Sequence, residues 1–272
     1  ETELITDAPS LPEPTTPRLG DGSGNVELLN VTFGYGDKPV LVDVTFHARP
    51  GTVTAIVGPS GSGKTTIARL ISRFWDVDSG AVMVDGVDIR ELGTEQLMSR
   101  LSMVFQDVYL FDDSLIANIR VGRPDASDEE VFRAADLSGV TSIANRLGWH
   151  TPVGEGGRLL SGGERQRVSV ARALLKQAPI VLFDEATSAL DAENEANILA
   201  AMDELREQST FIVIAHKLDT IKSADQIVVL DEHGQVSQLG THSELSDVPG
   251  IYRHFWQQRK AARGWKINSG RD

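Results

Sequence analysis

One eight-residue word, Gly58-Pro59-Ser60-Gly61-Ser62-Gly63-Lys64-Thr65, constrains this chain more than any other feature. Its spacing is G-x-x-x-x-G-K-[ST], a phosphate-binding loop. Glycines let the backbone turn tightly and aim its N–H groups at phosphate oxygens. The loop needs a strand before it and a helix after it. The β-rich run Val53 to Val57 leads straight in, and the spacing predicts a helix from near Gly63 to about Phe74. That helix adds its positive dipole end to the site. Gly58, Ser60, Gly61, Ser62, Gly63, Lys64, Thr65 and Thr66 are therefore the candidate nucleotide contacts. Lys64 should reach the β- and γ-phosphates, and Thr65 should place its hydroxyl on Mg²⁺. A glycine-rich surface loop could match the pattern by chance, but not with this strand and helix around it.

The rest of the chain supports an α/β fold. Val26 to Phe33 and Val40 to Phe46 read as strands around a Gly34-Tyr35-Gly36-Asp37 turn. Ala81 to Ile89 reads as a hairpin with Asp85-Gly86 at its tip. Residues from about 91 to 176 are mostly helical in pattern. Strands then alternate with helices: Ile180 to Asp184, a helix over about 192–208, Phe211 to Ala215, Gln226 to Leu230 and Gln235 to Leu239. Alternation of this kind implies a mostly parallel sheet flanked by helices. Residues 1–25 hold four prolines and five acids and read as a linker, or equally as a disordered terminus. From Arg253 to Arg271 there are six cations and no acid, which reads as a solvated helix end.

Composition narrows the function. With 26 basic against 39 acidic residues, the net charge is -13. A nucleic-acid partner would need a basic footprint, so none is expected. There is no cysteine, hence no disulfide framework and no thiolate metal site. No run approaches the roughly 18 consecutive apolar residues of a membrane-spanning helix, and no leader peptide is visible.

Two further words carry chemistry. Asp184-Glu185 ends the apolar run Ile180-Val181-Leu182-Phe183, so both acids emerge at the carboxyl edge of the sheet, where open α/β sheets bind ligands. Asp184 would hold Mg²⁺ and Glu185 would act as general base on water. Acids at strand ends are also common solvated turn residues; the phosphate loop favours the functional reading. Leu160-Ser161-Gly162-Gly163-Glu164 opens a helix. Ser161 suits the N-cap, and Glu164 follows at capping-box spacing. Gly162 and Gly163 leave bare amides at the helix N-terminus, a second anion site.

Together these words resemble the nucleotide-binding domain of an exporter-type ABC transporter, over about residues 26 to 255. The resemblance implies a RecA-like core, a small antiparallel β-subdomain and a helical signature subdomain over about 91–165. It divides the chain into a linker (1–25), an ATPase domain (26–258) and a basic tail (259–272). It implies ATP and Mg²⁺ as cofactors and ATP hydrolysis as the reaction. Tyr35 falls where the family stacks an aromatic on adenine. Gln106 matches the Q-loop that contacts Mg²⁺ and water, and Asp191 the D-loop. His216 matches the H-loop that holds the γ-phosphate and orients Glu185. Ser161, Gly162 and Gly163 would meet ATP held by a second nucleotide-binding domain. The other implied partner is a transmembrane domain, which places the chain on the cytoplasmic face of the cell membrane as a motor separate from, or cut from, the spanning helices.

One position departs. The exporter loop T-E-V-G-E-x-G reads Thr151-Pro152-Val153-Gly154-Glu155-Gly156-Gly157 here, with Pro152 replacing the first Glu. The stretch Phe211 to Gly240, with Lys217 where many relatives carry Arg, is similar to mycobacterial iron-siderophore transporters. Lipid or drug export is the alternative. A soluble non-transport ABC ATPase would be expected to add coiled coils or a second cassette.

Overall fold

Strand β3 (Val53–Val57) shows how the core is laid out, since all five of its residues are buried. Alternate side chains leave a strand on opposite faces. Val53, Ala55 and Val57 therefore enter one apolar cluster, and Ile56 enters the other. The computed structural model describes residues 11–105, 108–184, 202, 205–206, 208–215 and 218–268. On one side of β3 lies β8 (Thr210–Ile214), on the other β9 (Gln226–Leu230), both parallel to it. With β7 (Ile180–Asp184), β6 (Leu101–Val104) and β10 (Val236–Gly240), the sheet runs β10-β9-β3-β8-β7-β6. Only β10, at one edge, pairs antiparallel. Both faces of such a sheet must be covered, which is why its strands read as continuous apolar runs.

The face of Ile56 meets a second, four-stranded sheet. It contains β1 (Val26–Tyr35), β2 (Lys38–Ala48), β4 (Ser79–Val84) and β5 (Val87–Asp88) in the order β2-β1-β4-β5. Its neighbours are all antiparallel. Helix α1 (Lys64–Ile71) fills the same cluster with Ile67, Leu70 and Ile71, and α2 (Thr94–Arg100) adds Leu97. The opposite face carries α3 (Leu115–Arg120), α4 (Asp128–Leu137), α5 (Thr141–Leu147) and α6 (Gly162–Lys176). Towards the C-terminus the described residues add α7 (Leu218–Ser223), α8 (His242–Asp247) and α9 (Ile251–Asn268). No helix among the described residues is long and apolar enough to cross a membrane.

The structure differs from the sequence reading at four places. Helix α1 stops at Ile71, short of Phe74. The Ser72 hydroxyl donates to the Ala68 carbonyl (2.9 Å), and Arg73 takes a left-handed φ of 52°, a conformation that ends helices. The stretch read as mostly helical contains β6, whose pairing partner β7 lies about 80 residues away and leaves no local signal. The first turn is only Gly36-Asp37, so Tyr35 closes a strand. Residues 11–25 carry no helix or strand, yet they are fastened to the domain. The Arg73 guanidinium donates to the Pro12 carbonyl (2.8 Å), the Thr94 N–H donates to Glu13 (3.2 Å), and Arg18 pairs with Glu91 (2.6 Å). The Asp85-Gly86 hairpin tip matches expectation, with φ of 52° and 75°, the left-handed pair of a two-residue turn. Most of the helix expected over about 192–208 lies outside the described residues.

Candidate active site

The phosphate loop is shaped by what cannot fit there. A Cβ at Gly63, where φ is 90°, would meet Leu41 Cδ2 at 2.4 Å; one at Gly58 would meet the Leu230 carbonyl at 2.7 Å. Both positions therefore need glycine. Lys64 opens α1 and is buried. Its Nζ donates to the carbonyls of Gly58 (3.1 Å) and Pro59 (2.7 Å), so the ammonium curls over its own loop. The Ser62 hydroxyl is buried with no hydrogen-bond partner among the described residues, an orphan of the kind a bound group satisfies.

Thr65 and Asp184 are 119 residues apart in sequence, yet the Thr65 hydroxyl donates to the Asp184 carboxylate at 3.1 Å. The fold achieves this by placing the end of β7 against the first turn of α1. A hydroxyl beside a buried carboxylate is a pair of hard oxygen donors, which fits Mg²⁺ better than a softer metal.

A groove of about 350 Å³ runs from Thr65 to Tyr35, bounded also by Val40, Ser60 and Gly61. The Tyr35 ring stands edge-on to Phe33 (5.1 Å between centroids, 86°) and to Trp75 (5.2 Å, 86°). Tyr35 is 42% exposed, so this packing fixes the ring while leaving surface open for stacking. Trp75 was not legible as a site residue. Its only signal is the aromatic pair Phe74-Trp75 just beyond the phosphate helix.

The Leu160-Ser161-Gly162-Gly163-Glu164 word forms the capped start of α6. Ser161 accepts from the Glu164 N–H (3.2 Å), and Glu164 accepts from the Ser161 N–H (2.8 Å), a complete capping box. Arg146 adds an ion pair to Glu164 at 2.6 Å. Burial alone would raise the Glu164 carboxyl. The Ser161 N–H and the Arg146 guanidinium outweigh it and hold the pKa below the usual carboxylate value. Helix α6 packs on α3, α4 and β6, whereas α1 lies in the cluster on the other face of the sheet. The two anion-binding helix ends thus belong to different layers. The loop at Thr151–Gly157 is tied to α3: Pro152 bridges Ser114, and the Val153 N–H donates to the Asp113 carbonyl (3.0 Å). Pro152 is accommodated because its neighbours carry the hydrogen bonds.

Tyr35, the phosphate loop, Thr65, Thr66 and Asp184 are therefore brought together, and the signature residues are not. Gln106, Glu185, Asp191 and His216 lie outside the described residues, as does Lys217. Among the described residues, the parallel strands β6, β7 and β8 end at Val104, Asp184 and Ile214 on the carboxyl edge of one sheet.

Comparison with known proteins agrees with this geometry. A family model described as ABC transporter matches residues 41–188. The mycobactin import ATP-binding/permease protein IrtB of Mycolicibacterium thermoresistibile is 46% identical over 272 residues, 98% of this chain and 46% of that protein. The ATP-dependent lipid A-core flippase of Vibrio vulnificus is 47% identical over 234 residues, 85% of this chain and 40% of that protein. Among solved structures, a bacterial Atm1-family ABC exporter with ATP bound matches with a TM-score of 0.89 and 42% identity. That match covers 94% of this chain and 46% of the other. The chain spans about half the length or less of these relatives.

Proposed function

Since the chain belongs to the ABC transporter family, whose domains of this type hydrolyse ATP, we propose that it is the motor domain of an exporter-type transporter and converts ATP and water to ADP and phosphate at the Lys64–Asp184 site. The hydrogen bond between Thr65 and Asp184, at the end of the groove that begins at Tyr35, carries this reading. Tyr35 stacks on the base. Amides of Gly61 to Thr66 and the Lys64 ammonium neutralise phosphate charge, which is where most catalysis of phosphoryl transfer lies. Thr65, Asp184 and Gln106 would hold Mg²⁺, which would supply further charge neutralisation when bound. Glu185 orients and deprotonates water, and His216 fixes Glu185 and the γ-phosphate. Ser161, Gly162, Gly163 and Asp191 act on the nucleotide of a second copy or a homologous domain. A transmembrane domain is the other partner, on the cytoplasmic face of the membrane.

Substrate identity rests on coverage. The IrtB match extends over 98% of this chain and includes most of its terminal segments, whereas the flippase matches cover 85% to 93%. Ferric siderophore of the mycobactin type is therefore the proposed cargo, ahead of lipid. The test is uptake of ferric mycobactin into vesicles holding this domain joined to its transmembrane partner. ATP-dependent accumulation supports the reading; lipid translocation without it transfers the domain to the flippase class.

A further inference from the structure

Two side chains of α6 reach out of the signature helix and take hold of backbone on either side of Gln106. Gln166 is 3% exposed, and its Nε2 donates to the Phe105 carbonyl at 3.2 Å. Six residues on, Arg172 Nη1 donates to the Tyr109 carbonyl at 2.9 Å. The same guanidinium donates through Nε to the Asn118 carbonyl (2.7 Å) and through Nη2 to Asn118 Oδ1 (2.6 Å). Burial depresses the Arg172 pKa, but a guanidinium stays charged at any ordinary pH. Both acceptors on the Gln106 flanks are main-chain carbonyls, so these bonds fix where the chain runs rather than which side chains it bears.

We propose that Gln166 and Arg172 are positioning residues that staple both flanks of Gln106 to the signature helix. This rests on the ATPase reading above. In that reading Gln106 serves the nucleotide of its own chain, while the N-terminus of α6 serves the nucleotide of the second subunit. Displacing α6 without the flanks would strip the buried Gln166 amide of its Phe105 acceptor and the half-buried Arg172 guanidinium of its Tyr109 acceptor, an outcome proteins avoid. The helix and the flanks of Gln106 therefore move as one body, and each nucleotide site reports its occupancy to the other. The sequence hides this link, because Gln166 and Arg172 look like ordinary polar positions of an amphipathic helix.

The test uses Gln166→Met, which keeps the volume and removes the donor, and Gln166→Glu, which faces the Phe105 carbonyl with a carboxylate. Both are compared with wild type and with Gln106→Ala in the full chain. Each Gln166 variant should lose about tenfold in kcat, within the usual range of coupling between sites. ATP affinity of the isolated monomer should change by less than about twofold, because the residue lies outside the nucleotide groove. In the Gln106→Ala background the same substitutions should alter kcat by less than about twofold, since the route is already cut. A full additional loss in that background overturns the proposal, as does wild-type turnover in both single variants. Loss of folding in both variants makes the bond a packing feature and overturns it too. Absence of ATPase activity in wild type sinks the reading of the site itself, and the inference with it.

Discussion

Lys64 curls onto the carbonyls of Gly58 and Pro59, so the proposed role requires it to exchange those partners for phosphate oxygens. Lys64→Ala should therefore abolish nucleotide binding measurably by calorimetry while leaving the fold intact. Glu185→Gln should bind ATP but lose roughly 10²- to 10⁴-fold in turnover, the usual contribution of a general base. The ATP-bound dimer should accumulate in that variant; steady-state hydrolysis at the wild-type rate would remove Glu185 from the mechanism. Tyr35 is partly exposed at the groove, and on the proposed reading it stacks on the base without reading its edge. Tyr35→Ala should weaken ATP binding by about 1–3 kcal/mol, the scale of base–aromatic stacking, and wild type should hydrolyse GTP as well. Strict ATP selectivity together with unchanged affinity in Tyr35→Ala would count against stacking.

At the scale of elements, α6 depends on its capped start. Ser161→Ala should destabilise the domain by about 1 kcal/mol, as loss of an N-cap does. Glu164 gives that cap a pH dependence. Its folded pKa lies below the unfolded one, so its contribution is present above the unfolded value of about 4.3 and fades as pH falls through the lower folded value. Thermal melts of wild type and Glu164→Gln should differ at neutral pH and converge in acid; a constant offset would assign the effect to shape alone. The same element scale explains what the sequence made legible. The phosphate loop, the Asp85-Gly86 turn and the α6 cap are local patterns, each written within ten residues. Strand β6 is not, because its four residues become a strand only by pairing with β7. The meeting of Thr65 with Asp184 was inferable from motif roles, whereas Trp75 beside Tyr35 depends on two chain segments 40 residues apart converging. The contacts of residues 11–25 are equally invisible, since proline-rich composition describes stiffness and not docking.

On the scale of the whole molecule, the phosphate loop and the signature amides sit on helices packed against opposite faces of one sheet. On the proposed reading one chain does not close its own site, and a complete site requires two. Contact between copies is then mostly nucleotide, so the domain should be monomeric without nucleotide and with ADP. Ser161→Arg should leave the monomer's ATP affinity nearly unchanged and abolish hydrolysis if, as proposed, Ser161 acts on the other subunit's nucleotide. Mixing Ser161→Arg with Lys64→Ala should restore one competent site per heterodimer. The most direct measurement is turnover per chain across a wide dilution series in ATP and Mg²⁺, with light scattering recorded on the same samples. The shared site predicts specific activity that rises with protein concentration and tracks the dimer fraction. Constant specific activity in samples that scatter as monomers would contradict it.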